Sequence, residues 1–139
     1  MSGILTPEVL VLGAGGTVGF GVVGALLEAG SPVLALGRDG MRMQALAEHF
    51  ADEPALELMT SDGISTDAAA ANLVTQLRMR KRPLRAVFAS LASPLESGRL
   101  LDRPAEFLGE KLQLDLIPHL AAARHLIPLL AEHDGTANY

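Results

Sequence analysis

The sequence contains no cysteine and no tryptophan, and only one tyrosine and four phenylalanines among 139 residues. Without cysteine, disulfide bonds and thiol chemistry are excluded, which fits a cytoplasmic protein. Because aromatic residues are scarce although 49% of the residues are apolar, the core is expected to consist of Leu, Val, Ala and Ile side chains. That filling is usual in sheets covered by helices. The length predicts a single domain over residues 1–139.

Positive charge is also scarce, since the formal net charge is −5. Non-specific binding of nucleic acid requires basic patches that neutralise phosphates, so no nucleic-acid partner is expected. The single basic cluster, at Arg78–Arg82, is expected to be the solvated end of a helix, where cations complement the helix dipole. The apolar segment over residues 9–30 is interrupted by glycines and lacks a basic flank. A membrane span or a secretory signal is therefore not expected.

A glycine-rich turn lies between an apolar run, Val9–Leu12, and a helical pattern. A strand that turns directly into a helix forms an anion site, because the first free N–H groups and the dipole of the helix point at it. Glycine also lets a pyrophosphate approach the backbone. A P-loop is excluded because no lysine follows the glycines. The candidate pyrophosphate-binding residues are Gly13, Gly15, Gly16, Thr17, Val18 and Gly19.

Short apolar strands alternate with helical patterns along the whole chain. Strands are predicted over residues 8–12, 33–36, 55–59 and 85–89. Helices are predicted over residues 17–29 and 104–132, with two more between them that are capped by Asp39 and by Ser65 or Thr66. Pro118 predicts a kink or break of the last helix near residues 114–118. This alternation predicts right-handed βαβ units and a parallel sheet.

From Val9 to Tyr139 the sequence resembles the NAD(P)-binding half of the short-chain dehydrogenase/reductase family. The three-residue spacing of Gly13, Gly16 and Gly19 is similar to that of the family's extended and atypical branches. The resemblance implies an α/β fold with a Rossmann-like doubly wound parallel sheet in strand order 3-2-1-4. It also implies that the chain is truncated before strand five and that it binds a dinucleotide.

The end of the second strand, at Gly37 and Arg38, resembles that of the NADP-preferring members. An acid at this position would bind the ribose 2′-hydroxyl and repel a 2′-phosphate, whereas Gly37 followed by Arg38 favours the phosphate. NADP(H) is therefore the expected cofactor, with NAD(H) as the alternative. The adjacent Asp39 either caps the following helix or offsets the charge of the arginine.

Two further segments match the family's cofactor-binding positions. Asp62 and Gly63 lie where the family has an Asp-hydrophobic pair that meets adenine, although the second residue here is glycine. Ala89, Ser90 and Leu91 lie where the family usually has Asn-Ala-Gly after strand four. The resemblance implies backbone contacts between these residues and the cofactor.

No catalytic residue is predicted in this chain. The family's serine and its tyrosine and lysine, four residues apart, follow strand five, and no lysine follows Tyr139. Asp115 aligns with an asparagine that supports the family's proton relay, but an aspartate cannot donate as the amide does. The chain is thus expected to be a fragment or a truncated product of an oxidoreductase. The alternatives are a non-catalytic dinucleotide sensor or scaffold that regulates a partner protein, and a plain interaction domain.

Association and metal binding can also be judged from the sequence. Ending before strand five would leave strand four as an open edge and would uncover apolar positions of the last helix, so a homo-oligomer is expected. The histidines have no metal-ligand spacing and are expected at the surface or its boundary. The positions expected to be uncovered are Leu112, Leu116, Leu120, Leu126 and Leu130.

Overall fold

The computed structural model describes residues 5–38, 40–61, 63–93, 97–134 and 139. Along these residues, four strands alternate with three α-helices, and a 3-10 turn at Leu100–Asp102 and two more α-helices follow. Their bounds are β1 Glu8–Leu12, α1 Thr17–Glu28, β2 Val33–Gly37, α2 Gly40–His49, β3 Leu56–Thr60, α3 Asp67–Met79, β4 Leu84–Ala89, α4 Ala105–Asp115 and α5 Ile117–Asp134.

The four strands form one parallel sheet in the order β3-β2-β1-β4, which confirms the predicted topology. The central strand β1 pairs with β2 on one side and with β4 on the other. At its last residue, Leu12 lies opposite both Leu36 and Ala89. Because all strands run in the same direction, their carboxyl ends meet at one edge of the sheet, which we call the carboxyl edge.

Each face of the sheet packs against its own pair of helices, which explains why the inner strands are apolar at successive positions. Leu10 and Leu12 point to the face that packs against α3 and α5. Val9 and Val11 point to the opposite face, where α1 and α2 pack. The core is therefore divided into two layers with the sheet between them.

The helix ends follow the predicted signals where they are described. The Thr66 side chain caps α3 by accepting a hydrogen bond from the backbone N–H of Ala69 at 3.1 Å. The last helix breaks at Leu116 into α4 and α5, as Pro118 predicted. Pro118 therefore lies in the first turn of α5, where its missing N–H removes no intrahelical hydrogen bond. Asp39, the predicted cap of α2, lies outside the described residues.

The expected exposure of the last helix is wrong for two of its five leucines. Leu126 and Leu130 are fully buried in the core layer that contains β4 and α3, because α5 packs back onto the sheet. Leu112, Leu116 and Leu120 are 47%, 55% and 63% exposed, as expected. Homo-oligomer formation through this exposed surface stays a prediction.

The expected solvation of the basic cluster is wrong for two of its arginines. Glu8, at the start of β1, is completely buried, and Arg80 donates hydrogen bonds to both of its carboxylate oxygens. Arg80 also contacts Glu57, and Arg82 Nε lies 3.5 Å from Glu8 Oε2. Burial lowers the pKa of Arg80, but its hydrogen bonds to Glu8 and Glu57 raise it, and the net shift is upward. These charges therefore neutralise one another at the amino edge of the sheet.

Candidate functional site

The glycine turn after β1 is held by close backbone packing at two of its glycines. Gly13 has a φ of 73°, and a Cβ built on it would lie 2.0 Å from the carbonyl oxygen of Ser90. A Cβ on Gly19 would lie 2.1 Å from the carbonyl oxygen of Gly13. Both positions exclude a side chain, because the helix and the segment after β4 approach the turn too closely. The turn is thus fixed by the protein itself.

Gly16, between these two positions, is constrained far less. A Cβ there would contact a single atom, the carbonyl oxygen of Gly13 at 3.4 Å. Gly16 is the N-cap of α1, no side chain caps this helix, and its first turn contains no acidic residue. A cleft of about 350 Å³ lies beside it and is lined by Gly15, Gly16, Thr17, Phe20 and Arg42. The positive end of the α1 dipole therefore faces open space, where an anion is favoured.

At the end of β2, a glycine that lies against a buried side chain is followed by an arginine that has no partner among the described residues. A Cβ on Gly37 would lie 2.5 Å from Sδ of the buried Met43, so an acidic side chain here would displace Met43. The following Arg38 is exposed and forms no hydrogen bond or ion pair within the described part of the chain. Its side chain crosses Gly63, where a Cβ would lie 2.9 Å from Arg38 Cδ.

A second and larger cleft, of about 560 Å³, lies between the end of β3 and the side of α3. We call it the α3 cleft. Arg38 and Gly63 line one part of it, and Asn72, Leu73 and Gln76 of α3 line another. Asp62, which was predicted to meet adenine, lies outside the described residues, and its role stays a prediction.

The segment after β4 completes this edge. Ser90 donates its backbone N–H to the carbonyl of Leu12 at 3.0 Å, which continues the β1–β4 pairing up to the glycine turn. The carbonyl oxygen of Leu91 lies 2.8 Å from Nε2 of His119. Ala89 and Ser90 are half-buried. Backbone groups, not side chains, are what this segment presents near Gly13.

Sequence reasoning missed a polar cluster that anchors the same segment to α4. Asp115 Oδ1 accepts the backbone N–H of Ser93 at 2.7 Å, and Asp115 Oδ2 lies 3.1 Å from Lys111 Nζ. Lys111 also donates a hydrogen bond to the Ser93 hydroxyl. The hydrogen bond from Ser93, followed by the interaction with Lys111, lowers the pKa of Asp115. The four-residue spacing of Lys111 and Asp115 was a visible signal, but their link to Ser93 was not.

The carboxyl edge thus gathers most of the residues that were predicted to bind a cofactor. The glycine turn is central, Arg38 and Gly63 lie on its β2 and β3 side, and Ala89–Leu91 lie on its β4 side. In open α/β sheets, ligands bind outside the carboxyl ends of the strands. The arrangement can therefore hold an extended anionic molecule along the edge.

Two other kinds of feature, a metal site and a membrane-spanning helix, are absent from the described ranges. No group of three His, Asp or Glu side chains is placed to hold a metal ion there. Nor does any helix in those ranges have the length and apolar character needed to cross a membrane. The four histidines are all exposed or half-buried, which confirms their expected place at the surface or its boundary.

No protein-family profile and no curated protein matches the sequence. Solved structures do match, among them a short-chain dehydrogenase from Shigella flexneri with a TM-score of 0.78 at 17% identity, covering 94% of this chain and 53% of that one. A short-chain type dehydrogenase/reductase from Mycobacterium ulcerans has a TM-score of 0.72 at 19% identity, covering 94% and 47%. The fold is that of a short-chain dehydrogenase.

The short-chain dehydrogenase fold confirms what the sequence resemblance implied about architecture. A third match, the RhlG/NADP active-site complex of Pseudomonas aeruginosa, has a TM-score of 0.76 at 22% identity, covering 94% of this chain and 50% of that one. This chain therefore spans about half the length of these solved proteins.

Proposed function

We propose that residues 1–139 form an NAD(P)(H)-binding domain of the short-chain dehydrogenase/reductase family, part of an oxidoreductase. The observation that carries this proposal is the contrast within the glycine turn. Packing accounts for Gly13 and Gly19, but it leaves Gly16 beside an open cleft at an uncapped helix end. A pyrophosphate in that cleft explains why a small residue is present where the protein itself needs none.

The other proposed contacts follow the carboxyl edge on both sides of the pyrophosphate. Arg38, Asp62 and Gly63 bind the adenosine end of the dinucleotide. The backbone of Ala89, Ser90 and Leu91 contacts the half that bears the nicotinamide. A bound nicotinamide dinucleotide supplies hydride transfer. The contribution of this chain is to bind and orient it, and Lys111 and Asp115 fix the segment at Ser93 that follows these contacts.

We also propose that NADP(H) binds more tightly than NAD(H). Arg38 has no partner in the described part of the chain and is therefore available to a 2′-phosphate. The side chain of Met43 occupies the space that an acidic side chain at residue 37 would need in order to bind the ribose 2′-hydroxyl. The finding that RhlG was solved with NADP agrees with this preference, although it concerns a protein 22% identical in sequence.

Substitution at Gly16 tests the proposal directly. Gly16→Val places a branched side chain in the cleft, and the extended backbone there, with φ −77° and ψ 165°, accepts valine without strain. We expect NADPH affinity, measured by fluorescence titration or calorimetry, to fall about tenfold or more. The free energy of unfolding should change little.

Gly21→Val is the matched control, because Gly21 lies on the same helix, is exposed, and has no atom within 4 Å of a Cβ. This variant should bind NADPH as the unchanged protein does. If the folded, unchanged protein binds neither NADPH nor NADH at millimolar concentration, the proposed function is wrong.

A further inference from the structure

The α3 cleft presents two side-chain amides that form no hydrogen bond within the described residues. Asn72 and Gln76 lie one turn apart on α3, both are exposed, and both line the cleft. Neither carboxamide forms a hydrogen bond with any residue that the structure describes. Between them, Leu73 is buried in the core and contributes an apolar surface to the same cleft.

The remaining chemistry of the cleft restricts what it can hold. Arg38 is the one charged side chain in its described lining, so the part of the cleft near the end of β2 favours a negatively charged group of a ligand. A volume of about 560 Å³ is within the usual range of sites for small molecules and cofactors. An apolar surface flanked by amides suits a flat, hydrogen-bonding ring. The cleft therefore fits a base attached to a phosphorylated sugar.

We propose that Asn72 and Gln76 recognise the edge of an adenine base and thereby make this site selective among purines. A carboxamide oxygen accepts a hydrogen bond from the 6-amino group of adenine while the amide nitrogen donates to N7, the pairing that Asn and Gln make with adenine in DNA. In hypoxanthine the 6-position is a carbonyl oxygen, so both edge atoms are acceptors and the amide oxygen loses its donor. This inference rests on the proposed function and specifies how the adenosine end is read.

The test compares NADPH with reduced nicotinamide hypoxanthine dinucleotide phosphate, which differs from it only in the base. We expect the unchanged protein to bind NADPH about tenfold more tightly, which is within the discrimination that one such amide pairing provides. The double variant Asn72→Ala/Gln76→Ala should bind both dinucleotides with nearly equal affinity. Gln113→Ala, an exposed glutamine on α4 outside the cleft, is the control and should keep the preference.

A second variant is expected to reverse the base preference instead of abolishing it. Lysine donates to two acceptors on a purine edge, as it does to O6 and N7 of guanine, so Asn72→Lys should shift the preference toward the hypoxanthine form. A general defect in folding or in phosphate binding would weaken both ligands equally and would leave their ratio unchanged.

The possible failures are distinguishable. If NADPH does not bind the unchanged protein, the proposed function fails and this inference falls with it. If NADPH binds but the double variant keeps the full preference for adenine, or if the unchanged protein has no preference, the base is read elsewhere. In that case the assignment of Asn72 and Gln76 is wrong while the proposed function stands.

Discussion

The two edges of the sheet differ in whether their charged side chains are paired with one another. At the amino edge, Glu8 is buried but bonded to Arg80, and Glu57 and Arg82 surround the same pair. At the carboxyl edge, Arg38 has no partner within the described residues, α1 has no capping side chain, and two clefts are open. Charges at the first edge maintain the fold, whereas charge at the second is available to a ligand.

This difference separates stability from binding in a way that single substitutions can test. A change at the amino edge should alter the free energy of unfolding, and a change at the carboxyl edge should alter ligand affinity. A substitution that alters both the free energy of unfolding and the ligand affinity would contradict this separation.

The largest effect on stability is expected from Glu8→Ala. Removing the buried carboxylate leaves Arg80, whose side chain is only 15% exposed, without its main partner. Breaking one half of a buried ion pair costs about 3 kcal/mol. Urea unfolding followed by circular dichroism measures this loss.

Glu57→Ala is the control for that measurement, because the Glu57 side chain is 54% exposed and a half-exposed partner contributes little. It should lower the free energy of unfolding by well under half as much as Glu8→Ala. Equal losses from the two variants would show that burial of Glu8 is not what makes the amino edge stabilising.

The complementary change at the carboxyl edge is Arg38→Ala. A charge-assisted contact with the 2′-phosphate is worth about 1.5–3 kcal/mol, so the preference for NADPH over NADH should fall by roughly ten- to a hundredfold. The free energy of unfolding should stay the same, since Arg38 forms no hydrogen bond or ion pair with any described residue. Titration with each dinucleotide measures the ratio.

Arg78→Ala removes another exposed arginine, this one on the amino side, where it pairs with Glu132 on the surface. It should leave the cofactor ratio unchanged. Equal affinity of the unchanged protein for NADPH and NADH would contradict the role of Arg38 and would indicate that Asp39 or solvent cancels its charge.

Sequence patterns were sufficient to predict the features that neighbouring residues determine. The run Val9–Leu12 ends at Gly13, which places both the strand and the turn, and Pro118 cannot lie inside a continuous helix without cost. The order of the strands followed from alternation together with the family resemblance. The positions of Gly13, Arg38 and Ser90 at one edge then follow from a parallel sheet.

Contacts between distant residues could not be predicted in this way. Arg80 is 72 residues from Glu8, and nothing in the basic cluster distinguishes it from its solvated neighbours. Leu126 and Leu120 look equivalent in sequence, but only Leu126 faces the sheet once the chain breaks at Leu116. Asn72 and Gln76 likewise read as ordinary polar positions until β3 and Arg38 form a cleft beside them.

The smallest effect is expected at Asp115, which belongs to the carboxyl edge but contributes to stability. Its pKa is lowered from the ordinary value of 3.8, first by the hydrogen bond from Ser93 and then by Lys111. A carboxyl whose pKa is lower in the folded state stabilises the fold above its unfolded pKa, and this contribution disappears as the pH falls through the folded value. Asp115→Ala should therefore be less stable than the unchanged protein at neutral pH, and the difference should shrink to the loss of the neutral hydrogen bond in strong acid. Urea midpoints for both proteins across the acid range test this. A constant difference at every pH would mean that the charge of Asp115 does not contribute, and that this residue holds the Ser93 segment only as a neutral hydrogen-bond acceptor.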